Sequence, residues 1–116
     1  MVNHILRGTF VMTAWLAAMG VASGQDQAQI ERGMKAYADQ KCSVCHAIGG
    51  KGNTKGSLDD VGTRLKADEI REWIMSPVEM AKKTKTERKP PMKAFPNLSK
   101  EDVDALVAYL PTLKKK

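Results

Sequence analysis

The feature that most constrains this 116-residue chain is the segment DQKCSVCHAIGG, which contains both of its cysteines. Cys42 and Cys45 are three residues apart, and His46 follows the second cysteine directly. This spacing fits three kinds of site: a redox-active dithiol, part of a metal site, or the covalent attachment point of a haem. The residues around the segment decide among the three.

The first 24 residues have the three parts of a secretory signal. Arg7 is followed by an uncharged apolar stretch from Thr9 to Ala22, and small residues end the segment. The apolar stretch is shorter than the roughly 20 residues that span a bilayer. We therefore expect a cleavable signal peptide over residues 1–24, a mature domain over residues 25–116 and a periplasmic location. An uncleaved membrane anchor is the alternative.

Export would make a disulfide between Cys42 and Cys45 an alternative, because two cysteines in an oxidising compartment usually pair. A bridge between residues three apart closes too small a loop to stabilise the fold much. A zinc site usually needs four ligands, and the expected mature chain offers only Cys42, Cys45 and His46 as thiol or imidazole ligands. A thioredoxin-like dithiol lies between a strand and a helix, and no strand pattern is visible.

C-x-x-C-H is the attachment signature of a c-type haem. We therefore expect one haem c, bound covalently through Cys42 and Cys45, with His46 as an iron ligand. A helical domain that has a disulfide and no haem is the alternative.

The apolar spacing predicts three helices and no strand. The first covers about Ala28 to Lys41, and the second covers Ala67 to Met75 and ends before Pro77. The third follows Ser99, with Asp102 placed for a capping box. The segment VEMAKKTK between the second helix and the proline-rich loop predicts at most one further helical turn. The fold class is therefore all-α, with long loops.

Four methionines of the expected mature chain are candidates for a second iron ligand. Met34 and Met75 have helical spacing, which is more typical of core residues. Met80 lies in a lysine-rich segment and is expected at the surface. Met92 follows Pro91 in a proline-stiffened loop just before the last helix, which favours it as the ligand.

With these residues in place, nearly all of the expected mature chain resembles the class I c-type cytochromes. The resemblance rests on CSVCH after an amphipathic helix, on a methionine loop and on the final helix LSKEDVDALVAYL. It implies a small domain of three to four helices around one haem, with His46 and Met92 as axial ligands. It also implies that Trp73 lies near the haem and that the first and last helices cross at Gly33, Tyr37 and Tyr109.

One segment departs from the family pattern. After the attachment site the family usually has Gly-Pro-x-Leu, and the proline carbonyl accepts the proton of the ligating histidine. This chain has KGSLDDVG there, and Ser57 is interpreted as the residue at the proline position. The Ser57 carbonyl is expected to take over the acceptor role in a less rigid loop.

The resemblance implies an exported electron carrier that moves one electron from a respiratory donor complex to a terminal acceptor and is not an enzyme. Two alternatives stay open: a haem subunit of a larger periplasmic oxidoreductase complex, or an open-site haem protein that binds or senses gases. An acid-base catalyst would need further groups near the iron, and the sequence supplies no distal histidine.

The formal charge of +6 falls to +5 without the leader, which contains Arg7 and no acidic residue. Basic residues near the two loops predict redox partners with acidic docking surfaces. Nucleic acid is not an expected partner, and membrane contact is expected only through partner complexes unless the leader is retained. The domain is expected to be a monomer. The candidate docking residues are Lys51, Lys55, Lys82, Lys83, Lys85, Arg88, Lys89 and Lys93.

Overall fold

A computed structural model describes residues 22–115, and the predicted leader lies outside the described residues except for positions 22–24. The helices are α1 (Ala22–Asp39), α2 (Val61–Arg64), α3 (Ala67–Met75), α4 (Pro77–Thr84) and α5 (Lys100–Tyr109). Single 3-10 turns cover Cys42–Val44, Thr54–Gly56 and Leu110–Thr112. Two-residue strands, β1 (Ala47–Ile48) and β2 (Lys51–Gly52), pair antiparallel. Between residues 22 and 115, no helix is long and apolar enough to span a bilayer.

The main helix contact is the crossing of α1 and α5. Gly33 lies at this crossing, where a Cβ atom would meet Tyr109 Cβ at 2.6 Å and would overlap the Ala105 carbonyl. Only a residue without a side chain lets the two backbones approach this closely. Tyr37 packs against the same buried cluster, so the crossing expected at Gly33, Tyr37 and Tyr109 is present.

The first turn of α5 forms half of the predicted capping box. Ser99 Oγ accepts a hydrogen bond from the Asp102 backbone N–H at 3.1 Å. The Asp102 carboxylate does not return to Ser99 but pairs with Arg32 Nε at 2.9 Å. This exposed ion pair contributes little free energy, about 1 kcal/mol at most, but it joins α5 to α1 beside the crossing.

Helix α3 has the bounds that the sequence predicts, whereas α4 is longer than the predicted single turn. Pro77 ends α3 and also begins α4, because its fixed φ and missing N–H suit the first turn of a helix. Met80 is only 4% exposed, so the expected surface position was wrong. Its helix turns this side chain inward, although lysines follow it in the chain.

The burial expected for Met34 and Met75 was also wrong, because they are 50% and 60% exposed. Successive residues of a helix are rotated by about 100°, so one position decides which face a side chain joins. Met34 follows Gly33, which faces α5, and Met75 follows the buried Ile74. Both methionines therefore lie beside the buried stripe and not within it.

The short hairpin was not predicted, because two-residue strands are too short to show alternation. Gly49 and Gly50 form its turn with φ values of 59° and 78°, which favour glycine. The fold remains all-α, as expected, with one core shared by four helices. The core residues are Ala36, Val61, Ile70, Ile74, Val103, Leu106, Tyr109 and Leu110.

Candidate functional site

A cavity of about 440 Å³ opens between the cysteine segment, α3 and the proline-rich loop before α5. It brings together five of the six predicted site residues, which are separated by up to 50 positions in the chain. Ser57, the sixth, does not line it, and its side chain is exposed. The five residues in the cavity wall are Cys42, Cys45, His46, Trp73 and Met92.

The cysteine segment is a tight turn, and two residues separate it from the end of α1. Lys41 adopts a left-handed conformation with φ of 56°, which redirects the chain into the turn Cys42–Val44. The His46 backbone N–H then donates to the Cys42 carbonyl at 2.9 Å, and this bond closes one turn. The two thiols and the imidazole therefore line one cavity, half-buried.

The two thiols are free, and the surroundings of Cys42 do not activate it. Burial raises the pKa of the Cys42 thiol, and the nearby Cys45 raises it further. A reactive dithiol needs a lowered pKa, because the thiolate is the nucleophile. The geometry therefore does not favour a redox-active dithiol.

The orientation of the His46 ring is fixed by a backbone carbonyl. Its Nδ1 lies 2.9 Å from the Gly56 oxygen, and a carbonyl only accepts, so Nδ1 carries the proton. Burial lowers the pKa of His46, and the charge of Arg88 adds to this, against the opposing effect of the Gly56 hydrogen bond. A neutral ring with protonated Nδ1 keeps the Nε2 lone pair for a metal ion.

The acceptor of this hydrogen bond corrects the prediction for Ser57. The prediction placed Ser57 at the proline position of Gly-Pro-x-Leu, but counting back from Leu58 puts Gly56 there. The observed bond from His46 to Gly56 agrees with that count. The Ser57 carbonyl instead accepts from Arg64 Nη2 at 3.5 Å, so it is not the one that orients the ring.

Arg88 is a site residue that the sequence did not reveal. It was interpreted as one of the exposed docking cations because it lies in a run of lysines. The side chain is instead half-buried in the cavity wall, and its Nη2 donates to the Cys45 carbonyl. The only available signal was an arginine among lysines, which is weak evidence for a buried contact.

The proline-rich loop also contributes to the cavity wall. Met92 is half-buried there, with Pro90, Pro91 and Phe95 also in the wall. Met80 is buried elsewhere and does not line the cavity. Of the four methionines considered, Met92 is thus the one in the same cavity as His46.

The cavity wall fits a large apolar group that also has negative charge. Most lining residues are apolar, and Arg64 and Arg88 add two guanidinium groups. The Tyr37 hydroxyl is buried without a hydrogen-bond partner, although the residue lines the cavity. A haem has an apolar ring, two carboxylates and iron, so its chemistry matches this wall. Within residues 22–115, no group of three or more His, Cys, Asp and Glu side chains is arranged for a metal ion alone.

Comparison with known proteins gave one family and one relative of note. The family model described as Cytochrome c matches residues 30–114. The chain is 27% identical over 111 residues to cytochrome c oxidase subunit 2 of Alkalihalophilus pseudofirmus. That alignment covers 87% of this chain but 31% of the relative, so the chain spans about a third of the relative's length. No solved structure matched the chain.

Proposed function

The chain belongs to the cytochrome c family, whose members bind haem covalently and transfer electrons, and on that premise we propose a single-haem electron carrier. Cys42 and Cys45 would hold the haem as attachment thiols, and His46 and Met92 would bind its iron. The observation that carries the proposal is that one cavity contains the C-x-x-C-H segment in one wall and Met92 in another. Bound there, the haem supplies reversible one-electron chemistry at its iron.

The residues of the cavity have distinct tasks in this proposal. Gly56 holds the His46 ring through its carbonyl at 2.9 Å and keeps Nε2 free for iron. The thioether of Met92 favours the reduced state, which raises the reduction potential relative to a second imidazole. Two ligands held by the protein limit the change of geometry between oxidation states. The apolar wall excludes water, which keeps solvent reorganisation small.

Met92 also helps to distinguish an electron carrier from an enzyme or a gas sensor. Catalysis or gas binding at the iron requires an open coordination position, and Met92 occupies that position in the proposed site. We therefore favour a carrier over an enzyme or a gas sensor. The carrier would take one electron from a respiratory donor complex and deliver it to a terminal acceptor.

A second candidate is a haem subunit of a larger periplasmic oxidoreductase complex. It is favoured by the similarity to a protein named as an oxidase subunit, of which this chain matches about a third. Purification under mild conditions from the native host separates the two: a free carrier elutes alone, whereas a subunit elutes with larger partners.

The docking surface of the carrier is the lysine rim, defined here as Lys51, Lys55, Lys82, Lys83, Lys85, Lys89 and Lys93, all of which are exposed. Its charge suits redox partners with acidic surfaces. Cleavage after residue 24 would release the domain, as a monomer, into the periplasm.

The test is an absorption spectrum of protein expressed with a haem-attachment system. It is recorded oxidised and reduced, with and without CO. Sharp low-spin bands and no response to CO are expected of His46 and Met92 ligation. A high-spin spectrum that shifts with CO would replace the carrier with an open-site protein, and a colourless protein would exclude haem attachment.

A further inference from the structure

We propose that Arg88 is a positioning residue of this site. Its guanidinium fills the space above Gly56 where a proline side chain would lie, and it fastens the Met92 loop to the haem-attachment segment. Its charge raises the reduction potential. The inference rests on the proposed function, because it concerns the environment of the His46 and Met92 ligands. It adds a residue that neither the sequence motif nor the comparisons assign.

The first observation is the contact between two distant parts of the chain. Arg88 lies 43 residues beyond Cys45, and its Nη2 donates to the Cys45 carbonyl, directly before His46. The side chain is half-buried in the cavity wall, so the bond is partly shielded from water. Hydrogen bonds from a charged donor are roughly twice as strong as neutral ones. Arg88 also lies only four residues before Met92, so this bond anchors the start of the ligand loop.

The second observation is the space at Gly56. A Cβ atom at this position would overlap Arg88 Nη1 and the Cys45 carbonyl oxygen. Gly56 stands where the related pattern has proline, and a Cβ here would meet both the guanidinium and the Cys45 carbonyl oxygen. The glycine therefore leaves room for the arginine and for the backbone carbonyl that the arginine binds. The arginine in turn supports a loop that lacks the rigidity of proline.

The third observation is the placement of positive charge beside the His46 hydrogen bond. The guanidinium lies over Gly56, whose carbonyl accepts the His46 Nδ1 proton at 2.9 Å. A cation there draws electron density from the carbonyl, which makes it a weaker acceptor and makes the imidazole a poorer donor to iron. A nearby positive charge also favours the reduced state directly, because reduction adds one negative charge. Both effects act in the same direction and raise the potential.

The main experiment compares Arg88→Met, Arg88→Lys and the control Lys89→Met in the haem-loaded protein. Two quantities are measured: the midpoint potential, and the binding constant of imidazole, which competes with Met92 for oxidised iron. Lys89 is exposed, so its removal takes away an equal charge from the same loop without a buried contact.

Arg88→Met is expected to lower the potential below that of Lys89→Met and to bind imidazole about tenfold more tightly, as loss of one charged hydrogen bond implies. Arg88→Lys keeps the charge but not the planar fork, so it should retain most of the potential while the loop opens more easily. If Arg88 had only a structural role, its replacement would change stability, and Arg88→Lys would change the midpoint potential and imidazole binding together.

A second experiment tests the pairing with Gly56. Gly56→Ala keeps the Gly56 N–H that donates to the Asn53 carbonyl and is expected to weaken Met92 ligation when Arg88 is present. The double variant Gly56→Ala with Arg88→Ala should recover part of the low-spin spectrum, since only the overlap with the Cys45 carbonyl remains. Equal effects of Gly56→Ala with and without Arg88 would overturn the pairing.

The outcomes separate the two proposals. A wild-type protein that binds CO readily overturns the carrier function, and this inference with it. A low-spin wild type whose Arg88→Met variant behaves like Lys89→Met overturns the inference alone.

Discussion

His46 Nδ1 lies 2.9 Å from the carbonyl oxygen of Gly56, across a segment of only ten residues. The short hairpin lies between them, and the Asn53 backbone N–H bonds both the Ser43 and the His46 carbonyls, at 3.1 and 3.0 Å. The chain from residue 42 to residue 56 is thus a closed local unit. The orientation of the proposed iron ligand therefore depends mainly on its own loop.

Replacement of the proposed methionine ligand should open the iron. In Met92→Ala, no thioether remains in the cavity wall, so CO should bind the reduced protein and shift its spectrum. The potential should also fall, because the thioether favours the reduced state. Spectra with and without CO measure the first effect, and a redox titration measures the second.

The matched control is Met80→Ala. Met80 is 4% exposed and lies outside the cavity, so its loss should lower the free energy of unfolding by about 2–5 kcal/mol and leave CO binding unchanged. CO binding by Met80→Ala but not by Met92→Ala would move the ligand to Met80.

The crossing of α1 and α5 predicts a stability effect at Gly33. Gly33→Ala adds a Cβ at 2.6 Å from Tyr109 Cβ, which forces the helices apart and should cost about 1–3 kcal/mol of unfolding free energy. Met34→Ala, one residue along and 50% exposed, should change it by about 0.5 kcal/mol or less. Denaturant unfolding of both variants measures the difference, and equal effects would contradict the close crossing.

The buried hydroxyl of Tyr37 predicts alkaline sensitivity. Burial, with smaller contributions from Cys42, Tyr109 and Asp59, raises the pKa of Tyr37 from 10 to about 12. A folded-state pKa above the unfolded value means that the stabilisation is complete below pH 10 and is lost as the pH rises towards 12. In Tyr37→Phe the loss of stability above pH 10 should be absent. The free energy of unfolding at pH 7 should not fall, because the Tyr37 hydroxyl has no hydrogen-bond partner. Unfolding at pH 7 and between pH 9 and 12 checks both statements.

The lysine rim predicts a salt-dependent encounter with acidic partners. Lys93→Glu, beside the Met92 loop, should slow electron transfer to an acidic redox protein several-fold at low ionic strength. Lys35→Glu, on the exposed face of α1, makes the same charge change away from the rim and should have a smaller effect. Stopped-flow rates over a range of salt concentrations test this, and rates without salt dependence would exclude electrostatic docking at the rim.

The proposed signal peptide predicts where the mature protein begins. Cleavage after Gly24 should give a mature chain that begins at Gln25 and contains one covalent haem. Intact-mass measurement of periplasmic protein reads both quantities together. A mass that includes residues 1–24 would indicate a retained anchor.

The parts of the fold predicted from sequence were those with a strong local signal. The bounds of α3 and the cap at Ser99 follow from spacing and from a motif, whereas the crossing at Gly33 was expected from the family resemblance. Met34 and Met75 were misplaced because a rotation of one residue changes the helix face, and this depends on where the neighbouring helices pack. Met80 was misplaced because its lysine-rich context hides the burial of one side of α4.

At the site, the C-x-x-C-H segment and the proline-rich loop could be recognised from residue types alone. The role of Arg88 could not, because its contact joins residues 43 positions apart and depends on the absence of a side chain at Gly56. The acceptor of the His46 hydrogen bond was wrongly predicted to be Ser57, because the segment was matched to the Gly-Pro-x-Leu pattern one residue out of register.

The crossing at Gly33 joins the first and last helices of the described chain, and this has a consequence for the order of events during biosynthesis. Residues of α5 are synthesised after those of α1, so the α1 face around Gly33 has no partner until α5 has left the ribosome. Leu106 and Leu110 complete the cavity wall only at that stage. While α5 is unfolded, the cavity that contains Cys42 and Cys45 is therefore more open, and in the proposed holoprotein this last helix would complete the wall around the haem.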